Sequence, residues 1–136
     1  MKKILSITVK VVLAISVNIL AQNTVGPNYA GTGTSEGPGV VWTNPGNISI
    51  DDNSYATALS LTTDQLSQAL HATNFGFSIP IDATIAGIEI IIARYSPTTD
   101  PNIIRDNSVR LLKSGSPVGT NKAITGTNWP NIVLAV

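Results

Sequence analysis

His71 is the only imidazole in the 136-residue chain, and there is no cysteine. A two-histidine metal site, a thiolate centre, a cysteine nucleophile and a disulfide are therefore all excluded. His71 with a serine and an aspartate would be the minimum for nucleophilic hydrolysis, but no Gly-x-Ser-x-Gly turn accompanies it. It sits on an alternating segment beside Phe75, where an imidazole reads as a packed or hydrogen-bonded strand residue. Gly31-Thr-Gly33-Thr-Ser-Glu-Gly37 has the glycines of a phosphate loop without the dinucleotide spacing or the Gly-Lys-Ser/Thr ending, so it reads as linker. Glycoside hydrolysis needs two carboxyl groups roughly 5–10 Å apart, one with a raised pKa. Asp82 and Glu89 are the default pair, but Asp82 follows Pro80-Ile81 in a turn and Glu89 points away from the Ile88/Ile90 face, toward Arg94 or Arg110. No catalytic residue is expected, and the chain reads as a non-enzyme.

Two binding features stand above this background. Asp51-Asp52-Asn53 places oxygen donors in one loop, as calcium sites do, so Asp51, Asp52 and Asn53 are the candidate metal ligands. Tyr55 stands where a third oxygen is expected and no glycine-plus-distal-glutamate pattern follows, so carbonyls with Asp64 or Asp100 would have to complete the shell. The competing role is an Asx-type turn between strands. Calcium is the one cofactor the sequence suggests. Aromatic faces stack on sugar rings, and Trp42 and Trp129 are the candidate ligand-binding residues, with Tyr55 and Tyr95 completing the pool. In a chain with so few large side chains, most aromatics are expected in the core.

The elements that must carry these residues follow from composition. Residues 1–21 have the layout of a bacterial signal peptide: basic Met1-Lys2-Lys3, a mostly apolar Ile4–Leu20, and Ala21 for cleavage before Gln22. Lys10 interrupts the apolar run, and Ile19 sits where a smaller residue is preferred; Val11–Leu20 still provides ten apolar-rich residues. A membrane anchor needs about 20. Membrane contact is thus expected only through the leader, during export, and the destination is secreted or cell-surface. Past residue 21, five basic residues stand against eight acidic ones, a net of −3 without a basic patch, which makes nucleic acid an unsuitable partner. All 11 glycines and 8 prolines fall in those 115 residues. With charge at about half the usual density, this composition opposes long solvated helices.

Residues 22–39 read as a mobile Gly/Thr/Pro-rich lead-in. From residue 40 a strand-and-turn pattern begins: Val40–Trp42, then turns at Thr43–Asn47 and Asp51–Asn53, and an alternating strand over Tyr55–Leu61. A loop over Thr62–Leu70 leads into a strand over Ala69–Phe77, which Pro80 stops. Thr84–Tyr95 is the apolar centre, with Ile88, Ile90 and Ile92 on one face and Ile85, Ile91 and Ala93 on the other. Ser96–Pro101 is a turn; Ser108–Lys113 is a strand with Val109 and Leu111 inward and Arg110 outward. Ser114–Pro117 turns the chain, and Lys122–Trp129 is a further weak strand. The expectation is an all-β, antiparallel sandwich over residues 40–136. The apolar run Asn131–Val136 reads as a strand cut short, so the module is expected to be incomplete at its C-terminal end.

Residues 42–130 together resemble a known module. The shared order is Trp42-Thr-Asn-Pro45, Asp52–Ala58, Leu70-His-Ala-Thr-Asn-Phe-Gly-Phe-Ser-Ile-Pro80, Ala83–Ile90, Asp106–Leu111, Gly119–Ala123 and Trp129-Pro130. The chain is similar to jelly-roll or galactose-binding-like sandwich modules of secreted bacterial surface proteins, often of the Bacteroidetes, and of phage structural proteins. The Asn-Phe-Gly-Phe-x-Ile-Pro block is the most distinctive part. The resemblance implies a structural or recognition role and no catalytic residues. The expected function is surface display, adhesion or ligand contact, with a glycan or surface protein as partner. The alternatives are a carbohydrate-binding module of a larger secreted enzyme, or a phage-type virion component, against which the leader argues.

Overall fold

A computed structural model describes residues 2–14, 22–97 and 104–131. Eight strands and one 3₁₀ turn make up its regular structure: β1 (Lys2–Ala14), β2 (Gln22–Tyr29), β3 (Thr32–Glu36), the 3₁₀ turn Pro45–Ser49, β4 (Ala56–Ala58), β5 (Ala69–Thr73), β6 (Thr84–Tyr95), β7 (Leu111–Lys113) and β8 (Ser116–Val118). The chain is all-β, with no α-helix among the described residues. No helix there is long and apolar enough to cross a membrane.

The largest sheet has four strands arranged around β1. One edge of β1 runs antiparallel to β6 from Lys3 opposite Tyr95 to Ala14 opposite Thr84. The other edge is shared: β4 pairs with Lys2–Ile4, and β2 pairs with Thr8–Ala14. β1 thus lies in the segment expected as a leader. An apolar run of that length suits a strand as well as a signal-peptide core, and Ile4, Ile7, Val9, Val11 and Val12 supply the β-branching a pleated surface favours.

The lead-in over residues 22–39 is not a loose tether but forms β2 and β3. β3 pairs with β5, Thr34 opposite His71, and its glycines serve close approach. A Cβ on Gly33 would meet the Pro45 carbonyl oxygen and would come within 2.8 Å of Ile48 Cδ1. That contact lets the 3₁₀ turn insert Ile48, which is fully buried. Around it lie Trp42, Ala30, Ala56, Ala58, Ile7 and Trp129, so alanines provide much of the closest packing.

Other elements are shorter than their sequence patterns suggest, and backbone geometry explains why. The strand expected over Tyr55–Leu61 is confined to β4 and is followed by Ser60 at φ 60°. β5 ends at Thr73 because Asn74 and Gly76 take φ 57° and 68°, conformations a strand does not allow. Val40–Trp42 makes only an isolated bridge, Val40 to Ser67. Ser114 and Gly115, both at positive φ, make a two-residue hairpin, so Ser116 and Pro117 belong to β8 rather than to the turn. Leu111 is exposed and Leu112 half-buried, the reverse of the expected alternation. Lys122–Trp129 has no strand; its backbone is held by side chains instead, Asn121 Oδ1 accepting from the amides of Val109 and Ala123. Most of the expected turn Ser96–Pro101 and of the apolar run Asn131–Val136 lies outside the described residues.

Candidate functional site

β6 carries one residue more than β1 at Ala86, because Leu13 faces Ile85 while Val12 faces Gly87. A bulge of this kind re-aims a side chain. It brings Ile85 onto the wall formed by Ile88, Ile90 and Ile92, not onto the opposite face that strict alternation predicts. The wall continues to Arg94, a run of about 30 Å at strand rise. Facing it are the Leu61–Leu70 loop, Phe75 and Phe77, and the segment from Ile104 to Leu112. Between them lies an open cleft of about 930 Å³. Protein interiors close voids of that size, and the volume lies at the upper end of small-molecule sites, roughly 300–1,000 Å³. Ile85 and Ile88 keep 47% and 41% of their surface exposed, an unusual investment for isoleucine.

One end of the apolar wall is charged. Arg94 shares the alternation of Ile88, Ile90 and Ile92, so it points inward and needs a partner there. Asp106 supplies it: Arg94 Nη2 stands 3.0 Å from Asp106 Oδ2, and Asp106 is only 8% exposed. The same carboxylate accepts from Trp129 Nε1 at 2.9 Å through Oδ1 and from the Ile124 amide at 3.2 Å through Oδ2. The guanidinium also lies over the Trp129 ring, 5.4 Å from its centroid, a cation–π contact. Backbone bonds fix the indole in place: the Trp129 amide donates to Ile104 O, and the Ser96 amide donates to Pro130 O. Three segments remote in sequence are thereby closed into one hydrogen-bonded knot.

The two tryptophans expected to meet a ligand are core residues with an edge on this cleft. Trp42 and Trp129 are 3% and 7% exposed. The Trp42 indole donates to Gln68 O, and its amide donates to Ser35 Oγ. Burial leaves neither ring an open face for stacking from bulk solvent, and both contribute to the cleft lining. His71 lines the cleft and places Nδ1 3.4 Å from Glu36 Oε2, across the β3–β5 ribbon.

Asp51, Asp52 and Asn53 are exposed. Asp52 Oδ1 accepts from the Ser54 amide at 2.9 Å, and Asn53 takes φ 64°, so the loop is an Asx turn. Among the described residues no three histidine, aspartate or glutamate side chains gather as a metal site; Asp100 lies outside them. Asp51 acts instead on Tyr55, whose ring meets Tyr95 edge-on at 5.3 Å. Burial, then the hydrogen bond with Tyr95 and the negative charges of Tyr95 and Asp51, push the Tyr55 phenol above its ordinary pKa.

The Arg94–Asp106 pair has a sequence signal. Strand 84–95 carries two charges, and one shares the parity of its isoleucines; an inward arginine requires a buried acid. Which acid was not legible, because Asp106 is 12 residues away across a loop. Comparison of the chain with protein-family models, curated proteins and solved structures finds no match.

Proposed function

We propose that this chain is an exported, non-catalytic β-sandwich module that contacts its ligand through the cleft along β6, at the bacterial surface or outside the cell. The single observation that carries this reading is the open wall of isoleucines ending in a neutralised Arg94–Asp106 pair. A sandwich requires two facing layers, and the β6 face looking across to β5 and the 104–112 segment supports that arrangement. Such a wall favours an elongated apolar group with a polar end over a sugar stacked on exposed aromatics. Binding of anilinonaphthalene sulfonate, an apolar fluorophore with one charged group, tests it. The wild-type chain is expected to bind, and Ile88→Asp, which puts a charge on the half-open wall, is expected to lose binding without losing its fold. Equal binding by both would overturn the reading.

A carbohydrate-binding module is the second reading, supported by the edges of Trp42 and Trp129 in the cleft. A glycan screen separates the two: sugar binding that falls in Trp42→Phe while the thermal midpoint holds would favour it.

A further inference from the structure

Export with cleavage after Ala21 would remove β1, the strand on which the main sheet depends. Among the described residues β2, β4 and β6 have no other strand partner. Cleavage would leave a slot with β6 along one side and β4 then β2 along the other, its backbone hydrogen-bonding groups unpaired. Unpaired edges of this kind recruit a strand. It would also take Ile7 from the core, whose neighbours Ala56 and Ala58 are too small to close the gap.

The chain holds a candidate replacement. Ser96, just past the end of β6, donates its amide to Pro130 O at 2.8 Å. That is the end of β6 at which β1 begins, Lys3 opposite Tyr95. Two residues beyond Pro130 the sequence runs Ile132-Val-Leu-Ala-Val136, entirely apolar and rich in β-branched residues. Five such residues span about 17 Å as a strand. Continued antiparallel from Pro130 opposite Ser96, the register sets Leu134 opposite Ile92, the position Ile7 holds in β1. Entry at the same end gives the segment the polarity of β1.

We propose that in the cleaved chain Ile132–Val136 pairs with β6 in the slot β1 vacates, with Leu134 replacing Ile7 in the core. This rests on the export reading above. The test uses the product recovered after export of the full-length chain, its start read by mass. A product beginning at Gln22 is expected, and Leu134→Asp should speed hydrogen exchange of the β6 amides by about tenfold or more. Adding a synthetic peptide of residues 2–14 should restore protection. Because the chain has no cysteine, a pair introduced as Ile92→Cys with Leu134→Cys reports proximity independently. It should form an intrachain disulfide, whereas Ile85→Cys with Leu134→Cys should not, given the Cα separation of about 5.5 Å a disulfide needs. A product starting at Gln22 whose β6 exchange ignores Leu134→Asp and whose 92–134 pair stays reduced overturns the replacement alone. A product that keeps residues 1–21 overturns the cleavage and the replacement together.

Discussion

Replacing Asp106 by alanine removes one carboxylate and strands three donors at once: the Arg94 guanidinium, the Trp129 indole N–H and the Ile124 amide. Breaking a buried pair by deleting one partner costs about 3–5 kcal/mol, because the surviving charge stays desolvated. Arg94 is 21% exposed in its side chain, so water recovers part of that cost and the lower half of the range applies. For a chain of this length each kcal/mol lowers Tm by roughly 3–4 °C, giving a drop of about 10–14 °C. The assay is thermal unfolding followed by the fluorescence of Trp129 in a Trp42→Phe background. Its emission should shift to the red as the indole loses its acceptor. Asp106→Asn keeps an oxygen for Trp129 and should lose less. In a double-mutant cycle Arg94→Leu and Asp106→Ala should couple by about 1 kcal/mol or more. An Asp106→Ala chain within about 1 kcal/mol of wild type, or a cycle without coupling, would refute the knot as a stabilising unit.

Three further outcomes are expected. Gly33→Ala forces a Cβ into the Pro45 carbonyl and should cost about 1–3 kcal/mol by overpacking, read as a lower denaturant midpoint; a neutral result would mean β3 does not press on the 3₁₀ turn. Tyr55 has a raised pKa, so the phenol is neutral in folded and unfolded chains below about pH 10 and its contribution is intact there; as pH rises further the unfolded chain ionises first and stability falls through the folded pKa. Tyr55→Phe should flatten that alkaline fall in pH-dependent melts, and an unchanged slope would refute the assignment. A calcium loop of the extracellular class, with Kd about 10⁻⁴–10⁻³ M, would add about 1–2 kcal/mol at about 5 mM calcium. With Asp52 Oδ1 already bonded to the Ser54 amide, the midpoint should be the same in chelator and in calcium, and a rise of several degrees would restore Asp51, Asp52 and Asn53 as ligands.

The β6 strand was legible to the residue, because twelve positions of β-branched alternation leave no competing period. Its bulge was not, since an extra residue shows only against a partner strand. β5 ended early for a related reason: Phe75 and Phe77 continue the alternation, while Asn74 and Gly76 break the backbone beneath it. Gly31 and Gly33 looked like tokens of mobility, yet close contact with Asn74 and Pro45 demands the same residue type. At the site, burial of the tryptophans was foreseeable from their scarcity. The joining of Arg94, Asp106 and Trp129 was not, because only the tertiary path brings them together.

The dual character of residues 2–14 sets a clock on biosynthesis. β1 leaves the ribosome on the order of 80 residues ahead of β6, its main partner. At about 5–20 residues per second that interval is about 4–16 s. A hairpin of β1 and β2 alone is marginal in water, so throughout the interval the segment remains free for a translocation receptor. Once β6 emerges, the two fates compete, and the sheet wins in any chain the receptor has not yet captured. Variants that slow synthesis between residues 30 and 84 should therefore raise the exported fraction, and faster synthesis should lower it. A long-range strand pairing thus doubles as a timer for sorting.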